Sequence, residues 1–117
     1  MFGINSASAQ SFYSQTPATF KAMQQLVIAV DDFSRSMQLL EKIAVHIGRT
    51  ITAMRSDGVI APDSSVADIH VELQERFCRF FEAFATKAGT QAAATVIFND
   101  EVSRGIVETH VIYGGEK

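Results

Sequence analysis

Three histidines, one cysteine and a scatter of serines and carboxylates are the side chains of this 117-residue chain that could do chemistry. His46, His70 and His110 lie far apart, and none stands three or four residues from another His, Cys or carboxylate, as ligation of a metal from one helix face requires. His70 and Glu72 form an H-x-E string, but the P-C-x-x-C half of that zinc signature is absent, and residues two apart on a helix point in different directions. Cys78 has no neighbouring histidine in the chain to lower its pKa, so it reads as a small side chain at a helix-packing boundary. No G-x-S-x-G elbow, phosphate-cradling glycine loop or dinucleotide fingerprint is present. The sequence therefore assigns no catalytic residue, no metal ligand and no cofactor, and it speaks against an enzyme.

Two other groups could recognise a partner. Phe77, Phe80, Phe81 and Phe84 cluster along one stretch, where aromatics serve a core first and a partner second. Phe81 lies toward the edge of the apolar stripe and is the candidate anchor. Lys21, Arg35, Lys42 and Arg49 repeat at one heptad position, a sparse basic line that reads as a solvated face or as a contact for phosphates or an acidic partner.

The elements that would position these residues are legible from stop and start signals. Thr16 before Pro17 marks a helix start, and Ser56, Asp57 and Gly58, with Pro62 beyond, mark a stop. Between them, about 40 residues carry apolar positions in 3-4 spacing: Met23, Leu26, Val30, Phe33, Met37, Leu40, Ala44, Ile47, Ile51 and Met54. This predicts one heptad-patterned helix over 17–56, coiled-coil in character, whose seam residues and Phe81 are the candidate interaction surface. Ser65 with Asp68 opens a second helix over 65–88, with Val66, Ile69, Leu73, Phe77, Phe80, Phe84 and Ala88 on one face. Glu72–Arg76 and Glu75–Arg79 form i,i+4 pairs in the favourable order.

After Thr95, β-branched residues favour a C-terminal β-hairpin with strands at about 94–98 and 106–113. The competing reading caps a third helix at Asn99 or Asp100 and ends it at Gly114, which would make the chain an all-α bundle. The expected fold is thus mainly α: a long antiparallel helical hairpin sealed by a β-hairpin, with residues 1–16 as a flexible arm and 17–117 as one helical domain.

Composition bounds the remainder. Apolar residues make up 47% and charged residues 20%, which is globular rather than disordered composition. A net charge of −3 supplies no field to draw the chain to nucleic acid or an anionic membrane. With one cysteine, no secretory leader and no apolar stretch of the roughly 18 to 20 residues a membrane span requires, a cytoplasmic protein without integral membrane association is expected.

A 40-residue helix would span roughly 60 Å, whereas a compact chain of this size has a radius of gyration near 13 Å. Either the helix breaks, near Asp31 and Asp32 or at Gly48, or a second chain covers the seam. The sequence favours a helical protein–protein interaction module that self-associates, most simply as a dimer, or clasps a protein partner. The alternatives are a small helical chaperone or secretion-system component, and a helical-bundle enzyme or ligand-binding protein whose site is assembled from distant residues.

Overall fold

Among the described residues five helices follow one another: α1 (Pro17–Phe33), α2 (Leu40–Ser56), α3 (Val66–Phe84), α4 (Ala88–Ile97) and α5 (Asp100–Tyr113). The computed structural model describes residues 16–33, 40–84 and 88–113, with side chains throughout except at 83, 84, 88–90 and 100. The expected arm at 1–16, apart from Thr16, lies outside the described residues, as do Arg35 and Met37 and the side chains of Phe84 and Ala88.

The expected 40-residue helix is corrected. α1 ends at Phe33, directly after Asp31 and Asp32, and α2 packs against α1 instead of prolonging it. The start of α1 sits beside the end of α2, where the Thr19 amide donates to Asp57 Oδ2 at 2.6 Å, so the two helices are antiparallel. The greatest extent of the molecule, 40 Å, is too short for a rod of about 60 Å. A 3-4 spacing specifies which face is buried and is silent on what buries it. Here the seam closes on itself: Met23, Leu26, Val30, Ile47, Ile51 and Met54 are fully buried and Phe33 nearly so, within the chain's own core. Leu40, expected at the middle of the seam, is instead 42% exposed, because it opens α2 at the edge of the bundle. Gly48 does not break α2, which runs through it.

The stop after Ser56 has the expected chemistry. Gly58 takes φ +75°, the Val59 amide donates to the Met54 carbonyl at 2.8 Å and the Gly58 amide to the Arg55 carbonyl at 3.1 Å. These two bonds form a Schellman motif, which needs a left-handed residue at the glycine position. The Ser65 hydroxyl accepts the Asp68 amide at 3.1 Å and caps α3, and Arg76 pairs with Glu72 at 2.6 Å. At Thr16 the expected cap fails. Its buried hydroxyl has no hydrogen-bond partner, and Asp57 supplies the acceptor in its place.

The C-terminal β-hairpin is also corrected. Among the described residues there is no strand, and both expected strand segments are helical, in α4 and α5. Asn99 Oδ1 accepts the Glu101 and Val102 amides, each at 2.9 Å, which is the cap of the competing all-α reading. Burial follows the helical period: Ala93 with Ile97, and Ser103 with Val107, lie inside. Strand alternation fails, since it would place Val107, Thr109 and Tyr113 on one face, yet Val107 is buried while Thr109 and Tyr113 are exposed. The β-branched threonines are accommodated because Thr95 and Thr109 each donate to the carbonyl four residues back, at 3.0 and 2.9 Å. The second helix is described from Val66 to Phe84, residues 85–87 lie outside the described residues, and Gly89 falls inside α4.

One buried cluster draws on all five helices. α1 rests on α2 and α4, α3 on α5, and α5 also on α2. The last of these contacts shapes the larger surface groove.

Candidate functional site: the grooves flanking α2

α2 borders a groove on each side. On the α5 side, Leu40, Ala44, Val45 and Gly48 face Val102, Gly105 and Ile106 across a groove of about 590 Å³. Small residues at 44, 48 and 105 keep the floor low, and Leu40 and Val45, each 42% exposed, form its apolar rim. Glu41, Thr109 and His110 add the polar positions. An added Cβ at Gly105 would meet no heavy atom within 4 Å, so the groove is open above that residue. α5 continues past it to Ile112 and Tyr113, which are 59% and 76% exposed.

On the α1 side, a smaller depression of about 460 Å³ is lined by Ala18, Lys21, Ala22 and Gln25 of α1 and by His46 and Arg49 of α2. Burial, followed by the charges of Arg49 and Lys42, pushes the His46 imidazole below its ordinary value near 6.5. The expected basic line is thereby redistributed. Lys21 and Arg49, which a single rod would hold far apart, stand on opposite walls of one depression.

The histidines are not brought together. His46 belongs to this depression and is half-buried, and His110 belongs to the apolar groove. His70 is buried with its Nε2 2.6 Å from Ser103 Oγ, while the Ser103 hydroxyl lies 2.8 Å from the Asn99 carbonyl that accepts from it. A serine against a histidine is how a nucleophilic site begins. This one is closed, because Ser103 is fully buried and His70 only 5% exposed, which leaves an acyl group no path to the hydroxyl. The pair links α3 to α5 as an internal hydrogen bond. Sequence reasoning missed it because 33 residues separate the partners, and only a helix after Asn99 brings them into contact.

No family model, curated protein or solved structure matches this chain. The reading of function therefore rests on its own residues.

The described aromatic candidates differ in burial. Phe77 and Phe80 are buried; Phe77 stacks on Phe98 with ring centroids 4.3 Å apart and on Phe81 at 5.9 Å. Phe81 is partly buried against the core. Cys78 is exposed instead of sitting at a packing boundary. Among the described residues, no three His, Cys, Asp or Glu side chains are grouped to hold a metal ion, and no helix is long and apolar enough to cross a membrane.

Proposed function

We propose that this protein is a non-catalytic helical interaction module that self-associates through the groove between α2 and α5. The observation that carries the reading is the exposed apolar rim of Leu40 and Val45 over a floor of Ala44, Gly48 and Gly105. Small residues on facing helices allow a further helix to approach closely, and large side chains on the rim supply the contact area. The exposed Ile112 and Tyr113, one turn beyond Thr109 on α5, are apolar side chains of the kind such a groove accepts. In an isologous dimer each copy presents groove and helix end alike, so one patch completes the other.

The surface shares only Leu40 and Ala44 with the one the heptad pattern indicated. Met23, Leu26, Val30, Ile47, Ile51 and Met54 serve the chain's internal packing, and the proposed contact uses residues on the outer side of α2. Light scattering on the full chain across the micromolar range, compared with a Val45→Glu variant, tests this reading. A dimer that the variant converts to a folded monomer is expected. A strictly monomeric native chain, or a dimer indifferent to Val45→Glu, would overturn it.

A further inference from the structure

We propose that the depression between α1 and α2 is a binding site for a dianionic tetrahedral oxyanion, the phosphate of a small phosphate ester, held by Lys21, Arg49 and His46. This is independent of the self-association reading, because it uses the opposite side of α2.

The case begins with what the fold brings together. Lys21 comes from the second turn of α1 and Arg49 from the middle of α2, and the antiparallel packing of the two helices sets them around one depression with His46 and Gln25. Ala18 and Ala22 leave that space unfilled, and about 460 Å³ lies within the range of small-molecule sites. A bare phosphate would use only part of it, which is why an ester is favoured. Lys21 and Arg49 are exposed, so a ligand approaching from solvent meets both.

The donor set suits the ligand. A guanidinium offers a planar fork to two oxygens, an ammonium a mobile point charge, and a glutamine amide two further N–H groups. Among the described residues no carboxylate lines the depression, so an arriving anion meets no like charge from these walls. Among the described residues, the charged neighbours of His46 are Lys21 from α1 and Lys42 and Arg49 from α2. The imidazole therefore sits in positive potential, and its lowered pKa reports its partial burial first and that field second. An anion placed there offsets the repulsion and favours the imidazolium, which then donates a further charge-assisted hydrogen bond. Binding and protonation of His46 are thus linked: the anion raises the His46 pKa, and affinity rises as pH falls through that pKa.

Sulfate is the probe of choice because it stays dianionic while histidine titrates. The C2 protons of His46, His70 and His110 are followed by NMR in the full chain, with sulfate replacing chloride at constant ionic strength. The expected result is a rise of about one unit in the His46 pKa, a tenfold linkage, with His70 and His110 unmoved. Amide shifts should centre on residues 18–25 and 46–49, and inorganic phosphate should compete. The double variant Lys21→Gln/Arg49→Gln, altered only at exposed positions, should lose the response while keeping its helical circular dichroism. No sulfate-specific rise, a rise shared by all three histidines, or an undiminished rise in the folded double variant would overturn the site. Should the double variant fail to fold, the amide map of the native chain decides: shifts outside the two helical segments overturn the assignment.

Discussion

Asp57 has two roles, because the residue that helps to stop α2 also accepts the Thr19 amide in the first turn of α1. Replacing it with Ala should cost about 1 kcal/mol, the ordinary value of an N-cap, and Asp57→Asn should retain much of the bond; urea unfolding of both variants measures the difference. Two glycines of α2's stop and of α5 make a contrasting pair. Gly58→Ala places a Cβ on a left-handed backbone at φ +75° and should cost about 1 to 2 kcal/mol. Gly105→Ala meets only open space inside a helix and should stabilise by about 0.5 to 1 kcal/mol. Melting temperatures that moved in the same direction would contradict the contrast. Ile47 and Leu40 separate in the same way. The fully buried Ile47 should lose about 2 to 5 kcal/mol on change to Ala, whereas the rim residue Leu40 should lose far less than Ile47. At this scale the sequence was readable wherever a local signal decided the outcome, as at Gly58, Ser65 and the Glu72–Arg76 pair. It was unreadable where the partner is remote. Nothing near Thr16 reveals that Asp57 will take over its cap, and nothing near His70 points to Ser103.

Elements were legible through their periodicity and their punctuation, and the two signals disagreed after Thr95. Val96, Ile97, Ile106, Val107, Val111 and Ile112 favour strands by type, yet Asn99 caps a helix. The difference in intrinsic preference is only a few tenths of a kcal/mol per residue, less than the burial of Ile97 and Val107 contributes. Packing against α1, α2 and α3 therefore outweighs local preference. α3 depends on α5 in return, through the Ser103–His70 contact and through the Gln74 amide, which donates to the Phe98 carbonyl at 2.6 Å. Ser103→Ala leaves the His70 nitrogen without this partner in a buried place and should cost about 1 to 3 kcal/mol. Cutting the chain after Gly89 has a larger consequence. The fold expected from the sequence, a long helical hairpin sealed by a terminal β-hairpin, would keep its core without the tail if the helical hairpin carried that core. Because Ala93, Ile97 and Val107 belong to the same buried cluster as Met23 and Leu73, the truncated chain should instead lose cooperative unfolding. A sharp thermal transition in the fragment would show that α4 and α5 are accessory.

Across the whole molecule, one break in a heptad pattern decides the architecture. With α1 and α2 continuous, the seam would need a second chain; with the helix ended at Phe33, the same residues cover one another and the radius of gyration falls to 13.5 Å, near the value for a compact chain of this length. The acidic pair Asp31 and Asp32 stands at the carboxyl end of α1, where negative charge opposes the helix dipole; that is the physical mark of the break, and the spacing of apolar residues carries no trace of it. The closure also buries His46 partly beside Lys42 and Arg49, which makes global stability depend on pH. The sign follows from the lowered pKa. Above about pH 6.5 the imidazole is neutral in both folded and unfolded chains and adds no dependence. As pH falls below that value the unfolded chain takes up the proton first, so the folded state loses stability until the lower folded pKa is passed. Unfolding in urea at about pH 7.5 and about pH 5.5 should therefore show a larger loss for the native chain than for His46→Gln. Equal losses in the two proteins would mean that neither burial nor the charges of Arg49 and Lys42 lower the pKa of residue 46 in the folded chain.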